Sequence, residues 1–400
     1  MSVRFDLGHA IPAAVGPTME ETGWGVYQYP SLFRIDDGRI LLSCSNGPDS
    51  VESRGMESLW FASSDEGETW IPVQTEMKYR TGLRLPDGSL LRRDSRKTRT
   101  VDVSKLPSPM AVHPVHDRIQ ILNDLPDDLV DKWMEFQRIS PDGKITSLRW
   151  SLRDWPYYTV NCLKGELVMP DVEGRMRLAP DGSVWHTHYH IIPSPENGGY
   201  SPYYNTFYLR SVDCGETWTR MSWIPYRPDL RDFAGAFTEA EGFCESDVTF
   251  LPDGSMLTLL RSGSTTPSYI ARSTDGGHTW SEPKLFDRCG VWPCLLTLPC
   301  GVTAASYGRP GFFLRATEDP SGLVWQDPIA LIPYADRSGE ANEPPADPGL
   351  DWQFGTCSYS DMLPLGDDSF LLAYGDFYYP APDGKKRKTI LVRRVRVIKE

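Results

Sequence analysis

Short apolar stretches alternate with Gly-, Pro- and Asp-rich clusters along almost the whole chain, and the spacing repeats. The cycle is clearest from Tyr29 to Val73, where YPSLFRI, DDG and RILLSCS are followed by ESLWFASS, DEG and ETWIPV. Stretches this short, rich in β-branched and aromatic residues and bounded by turn formers, read as strands rather than helices. Two strands flank a first turn of the P/D-D-G type, a third leads into a second turn, and a fourth leaves it. The first turn recurs at Leu85 to Ser89, Ala179 to Ser183, Leu251 to Ser255, Leu298 to Val302 and Leu365 to Ser369, which makes six units with the first cycle.

The second turn is more sharply written. Ser-x-Asp-x-Gly-x-Thr-Trp occurs three times, at Ser63 to Trp70, Ser211 to Trp218 and Ser273 to Trp280. A fixed motif recurring along a chain is the mark of a repeat architecture. Its Asp can accept bonds from nearby backbone N–H groups, its Gly supplies φ > 0, and Thr-Trp opens the next strand with an apolar anchor. The outer turn is degenerate at Ser140 to Lys144 in unit two and Ser321 to Trp325 in unit five. Unit six ends on a third strand, TILVRRVRV, so the N-terminal SVRFDLG is expected to supply its fourth and close the ring. The expected fold is all-β, a six-bladed β-propeller of four-stranded blades, which leaves only short sheet edges. It is read as one domain over 1–400, with insertions at about 95–132 and 191–203 and a short helix in DLPDDLVDKWM.

Composition narrows the partners. A net charge of −13 argues against nucleic acid or an anionic membrane surface. No apolar run is long enough for a transmembrane helix. The start, MSVRFDLGHAIPAAVG, lacks a secretory pattern, and the cysteines show no C-x-x-C spacing, so a cytoplasmic protein with reduced thiols is expected.

The repeated Asp boxes on a six-unit β chain resemble the sialidase superfamily, over nearly the whole length. The resemblance implies that Asp65, Asp213 and Asp275 are structural. It also implies catalysis by a Tyr nucleophile with a Glu as its base, an Asp acid, and arginines that hold a sugar carboxylate bidentately. CSYSDMLPL resembles the nucleophile segment and points to Tyr359. CESDVTFLPDGSMLTLLRSG resembles the segment carrying the helper Glu and an arginine, giving Glu245 and Arg261; YGRPGFFLRA offers Arg309 as a second arginine. Two departures stand out. YQYP has Gln28 where the family has an arginine, with Arg80 as a candidate substitute. The loop SNGPDSVESRGME offers Asp49 or Glu52 as the acid.

The repeat gives an independent register. Nine residues before the end of each first turn lie Tyr29, Tyr79, Glu173, Glu245, Trp292 and Tyr359, a row expected to ring the mouth of a propeller. Glu173 and Trp292 thereby join the candidate substrate contacts. In WHTHYHI, alternation puts His186, His188 and His190 on one strand face. Neighbours two apart lie about 7 Å from one another, too far for all three to share a metal ion, so no cofactor is expected. His186 and His188 read as filling between blades, and His190, at the strand's outlet, as a substrate contact. His113 and His116 read as ordinary loop histidines. The expected function is a retaining exo-glycosidase on a terminal acidic sugar. Alternatives are a neutral-sugar hydrolase of arabinanase type, in which Glu173 pairs with Glu245; a uronic-acid lyase using His190 with Tyr359 or Tyr189; and a non-catalytic carbohydrate-binding propeller.

Overall fold

The computed structural model describes residues 3–48, 56–93, 99–100, 103–109, 111–112, 119–122, 133–151, 158–161, 166–167, 174–190, 203–332 and 355–399. The protein is all-β, a six-bladed β-propeller. Its blades are six antiparallel sheets, five of four strands and one of five. Each first turn closes in the same way. Ile35, Leu85, Ala179, Leu251, Leu298 and Leu365 donate their N–H to the carbonyls of Arg39, Ser89, Ser183, Ser255, Val302 and Ser369, at 2.8 to 3.0 Å.

The chain falls into two compact units. One comprises Met1–Thr81, Leu251–Leu257 and Cys289–Glu400; the other comprises Gly82–Phe250 and Thr258–Arg288. The first unit holds blades one, five and six. Blade six runs Ser360–Pro364, Ser369–Pro380 and Lys386–Lys399, and Val3–Leu7 pairs in register with the last of these, Val3 opposite Lys399 and Leu7 opposite Val395. The N-terminus thus supplies the missing strand, and Ile11–Val15 pairs farther along Lys386–Lys399 as a fifth. Blades five and six bury Phe312, Leu314, Phe370, Leu372 and Tyr374 between them, with the Phe312 and Tyr374 rings stacked at 5.0 Å. Each such side chain contributes ~1.5–3 kcal/mol through lost contact with water.

The second unit holds blades two, three and most of blade four. Phe136 stacks on Trp218 at 5.2 Å between blades two and three. The half-buried Arg177 in Met176–Leu178 pairs with the buried Asp247 in Cys244–Phe250, its Nε donating to Oδ1 at 2.9 Å. This pins the start of blade four, two residues after Glu245. The equivalent residue in blade six, Asp361, accepts the backbone N–H of Leu32 at 2.9 Å.

The three Ser-x-Asp-x-Gly-x-Thr-Trp boxes have the expected turn chemistry. Ser63 Oγ donates to Asp65 Oδ1 at 2.8 Å and accepts from Gly67 N–H at 2.8 Å, while Asp65 takes Thr69 N–H at 2.9 Å. Ser211, Asp213, Gly215 and Thr217 repeat this, as do Ser273, Asp275, Gly277 and Thr279. These bonds hold the Asp65 carboxyl down at about 2, led by those from Thr69. The degenerate turn of blade five is a fourth box with one extra residue. Trp325 Nε1 donates to Gly322 O at 2.8 Å, as Trp70 does to Gly67 O at 3.0 Å and Trp218 to Gly215 O at 3.2 Å. Of the helix expected in DLPDDLVDKWM, residues 124–132 lie outside the described residues, and Trp133 and Met134 already belong to the strand Trp133–Ile139.

Candidate functional site

The first strands of the blades begin in strained backbone. Tyr29, Glu245 and Trp292 have φ of 57°, 46° and 42°, and Ser358, immediately before Tyr359, has 63°. Left-handed conformations cost a non-glycine residue ~1–3 kcal/mol and persist where surrounding structure imposes them, which concentrates them at functional sites. Three row residues and the neighbour of a fourth thus share a structural feature that the register was not built from, whereas Tyr79 lies exposed in the helical turn Thr75–Arg80 and Glu173 lies outside the described residues.

Within the first unit three row residues meet. The Tyr359 ring stacks on Trp292 at 5.1 Å with an interplanar angle of 21°, and meets Tyr29 edge-on at 4.6 Å. All three are half-buried, so they form an aromatic surface with solvent access. Arg309 lies behind them. Its guanidinium carbon is 5.8 Å from the Tyr359 ring centroid and 5.0 Å from that of Trp24, so the cation is flanked by two rings.

Local structure explains how Arg309 is presented. It is in the tight turn between Thr303–Gly308 and Phe312–Thr317, with φ of 56° and its N–H bonded to Gly311 O at 3.0 Å. A Cβ at Gly308 would come within 2.1 Å of Gly311 O, so only glycine allows the turn. The side chain is 95% enclosed, since its relative exposure is 5%. Nη2 donates to Cys357 O at 3.0 Å, and the buried Nε has no acceptor. Among the described residues no carboxylate pairs with it. A buried cation without a counter-charge is costly, and a ligand anion would relieve that cost.

Gln28 is also in the first unit but differs from its expected role. It is wholly enclosed, and neither amide atom has a hydrogen-bond partner among the described residues. Only its backbone is engaged, with Ser45. Arg80 does not reach toward it. Arg80 pairs with Asp37 at 2.9 Å, in the turn at the far end of the strand Ser31–Arg34 from Gln28. Asp37 already holds Arg39, which binds its carboxylate at 2.8 Å.

In the second unit Glu245 and Arg261 do meet, as a salt bridge between neighbouring strands of blade four. Sequence reasoning missed their third member. Glu241 accepts from Arg261 Nη2 at 3.1 Å, and Ser264 Oγ donates to it at 3.3 Å. All three charged residues are buried. One guanidinium thus faces two protein carboxylates, and its Nε is spent on Gly263 O at 3.2 Å. The signal for Glu241 was the glycine that follows it. Gly242 has φ of 96°, and a Cβ there would meet Tyr204 N at 2.4 Å, so the chain must turn sharply into the strand.

His186 and His188 are buried in blade three. His186 packs edge-on against Phe136 and Trp218, at 6.0 and 6.1 Å, and burial pushes its imidazole down to about 3. His188 lies against Tyr189 and Phe207, both at 6.3 Å. These are packing positions. Among the described residues no group of three His, Cys, Asp or Glu side chains is placed to hold a metal ion. His190 ends the strand Val184–His190, opposite Asn205. Asp49, Glu52, Glu173, His113 and His116 lie outside the described residues.

No protein-family model matches the chain, and no curated protein matches it. Solved structures do. A protein of unknown function from Dyadobacter fermentans is 19% identical, covers 99% of each chain and gives a TM-score of 0.61. An α-L-arabinanase of Penicillium chrysogenum, complexed with arabinobiose, is 12% identical over 97% of this chain and 98% of its own, with a TM-score of 0.50. The NanB sialidase of Streptococcus pneumoniae is 13% identical over 96% of this chain and 70% of its own, again at 0.50. At such identities the likeness speaks to the fold, and function has to be argued from the site.

Proposed function

We propose that this chain is a glycoside hydrolase of the sialidase superfamily that acts on a terminal acidic sugar with retention of configuration. One observation carries the acidic preference: the buried guanidinium of Arg309 lies against Tyr359, has no carboxylate partner among the described residues and keeps an Nε–H to donate. Tyr359 is the nucleophile. As a neutral phenol it avoids setting one anion against another. Its oxygen attacks the anomeric carbon as the glycosidic bond breaks, the phenol proton passing to the base and the aglycone leaving as an alcohol with the acid's proton. Water then hydrolyses the glycosyl-tyrosine to the free sugar and Tyr359. Trp292 and Tyr29 supply apolar faces against which a sugar ring can stack. The assignments of Glu245 as the base, Asp49 or Glu52 as the acid, and Glu173 and His190 as substrate contacts rest on the sequence reading. The reaction is proposed to run without a cofactor.

A second reading, a neutral-sugar exo-glycosidase of arabinanase type, is favoured by Arg261. Its fork is already taken by Glu241 and Glu245, and Gln28 adds no charge, so of the candidate residues Arg261, Arg309 and Gln28 only Arg309 is left to receive an acid group. A panel of fluorogenic α-sialoside, β-glucuronide and α-L-arabinofuranoside substrates separates the readings. Turnover of a sialoside or glucuronide is expected. Turnover of the arabinofuranoside alone would select the neutral reading, and release of an unsaturated, ultraviolet-absorbing product would select a lyase. Sugar binding with no turnover of any substrate would make the propeller a lectin.

A further inference from the structure

A second buried cation lies in the same unit, outside the machinery described above. Lys388, in the strand Lys386–Lys399, has no exposed surface. Its Nζ donates to Gly23 O at 2.6 Å and Thr22 Oγ1 at 3.4 Å, and lies 5.6 Å from the Phe377 ring centroid. Its backbone is tied to the same stretch of chain, since Lys388 N–H donates to Pro17 O at 3.0 Å and Gly16 N–H to Lys388 O at 2.8 Å. Residues 16–23 are therefore strapped to this strand at both ends, by backbone at Gly16 and Pro17 and by the ammonium at Thr22 and Gly23. The turn Met19–Thr22 between them is closed by a capping box of Thr18 and Glu21.

The strap ends at Trp24. That indole lies under the Arg309 guanidinium at 5.0 Å and meets Phe377 edge-on at 5.6 Å. Arg309, Trp24, Phe377 and Lys388 thus form a ladder of cation, ring, ring and cation. We infer that Lys388 is a positioning residue, which holds Trp24 against Arg309 through the Gly23 carbonyl and thereby fixes the guanidinium edge presented to a ligand anion. A shorter or apolar side chain there would leave Gly23 O buried without this donor and free the strap's distal end.

Other charged groups around Lys388 do not supply this tether. On the strap, Glu21 is engaged with Thr18 N–H and Lys385, and Glu20 is exposed. On its own strand Arg387 is bonded to Asp383 and Gly16 O, and Lys386 is exposed. Asp376, beside Phe377, accepts from Tyr378 N–H, and burial raises its carboxyl. Cys357 faces Lys388 and Arg309 with a thiol that burial pushes up. Burial brings the Lys388 ammonium down to about 8, so it changes charge at a pH where that thiol stays neutral.

The inference rests on Arg309 binding a ligand, but its structural half is tested separately. The full chain labelled with 5-fluorotryptophan reports Trp24 by ¹⁹F NMR, the resonance being assigned with Trp24→Phe. Lys388→Met is expected to move that resonance while leaving those of Trp218 and Trp280 unchanged. On whichever panel glycoside is turned over, Lys388→Met should raise KM roughly tenfold with kcat nearly unchanged, because orientation and not chemistry is lost. A Trp24 resonance that does not respond to the substitution would overturn the tether, with Lys388→Gln, whose side chain is too short to reach Gly23 O, read in its place should Lys388→Met not fold. An equal fall in kcat with KM unchanged would overturn the link to Arg309. A responding Trp24 in a protein that turns over no glycoside would uphold the tether and sink the proposed activity.

Discussion

The guanidinium carbon of Arg309 lies 5.8 Å from the ring centroid of Tyr359, and the same cation lies 5.0 Å from Trp24 on another segment of the chain. A charged group flanked by rings and shielded from water interacts more strongly with a ligand charge than it would at the surface. That relationship makes Arg309 and Tyr359 the first residues to test.

Tyr359→Phe should abolish turnover, by at least roughly 10³-fold in kcat, because the phenol oxygen is the proposed nucleophile. The ring stacking on Trp292 at 5.1 Å is retained, so the melting temperature should stay within a few degrees of wild type. A near-normal rate on the true substrate would remove Tyr359 from the mechanism.

Arg309→Met should separate binding from stability. Loss of a charge-assisted contact, about 1.5–3 kcal/mol, should raise KM for an acidic sugar roughly 10- to 150-fold. The melting temperature should hold or rise, since a buried cation without a counter-charge among the described residues is replaced by an apolar chain. A strongly destabilised variant would instead assign Arg309 a structural role.

Gln28→Met should stabilise the protein. Its enclosed amide has no hydrogen-bond partner on either atom among the described residues, and an unsatisfied buried polar group costs about 1–3 kcal/mol. Urea denaturation measures the difference. A loss of stability would show that the amide is satisfied in solution, by bound water or by a changed rotamer.

Acid sensitivity should trace partly to His186. Burial pushes its folded-state value down to about 3, whereas the unfolded imidazole titrates near 6.5. Between these values the unfolded chain binds the extra proton, so stability rises with pH across this window and falls on acidification by up to ~1.4 kcal/mol per pH unit. His186→Leu should flatten the dependence of the urea midpoint on pH between about 3 and 6.5, and an unchanged slope would count against it. The Asp65 carboxylate, held at about 2, adds stability that is present above its unfolded value and lost only at lower pH.

Asp213→Ala should lower the melting temperature while leaving kcat/KM unchanged. The carboxylate accepts Ser211 Oγ and Thr217 N–H, each at 2.8 Å, and touches no candidate site residue. A selective loss of activity at constant stability would mean that the box takes part in function.

What the sequence determined by itself was the frame. An Asp-Gly turn is built by residues adjacent in the chain, so Ser63 to Trp70 and its copies could be read before any fold was known. The same holds for the six first turns, whose count supplied the register that leads to Tyr29, Trp292 and Tyr359. Alternation likewise placed His186 and His188 on one strand face, and their packing role follows from burial there. Side-chain convergence was decided by tertiary structure, because it depends on how distant segments pair and twist. Trp24 reaches Arg309 only because a strap is bound to a strand near the C-terminus. Glu241 joins Arg261 only because Gly242 turns the chain before blade four. Gln28 stands where the resemblance places an arginine, yet packing encloses it. Local turn chemistry needs only neighbouring residues, whereas a site needs surfaces from several blades to meet, and no spacing along the chain encodes that distance.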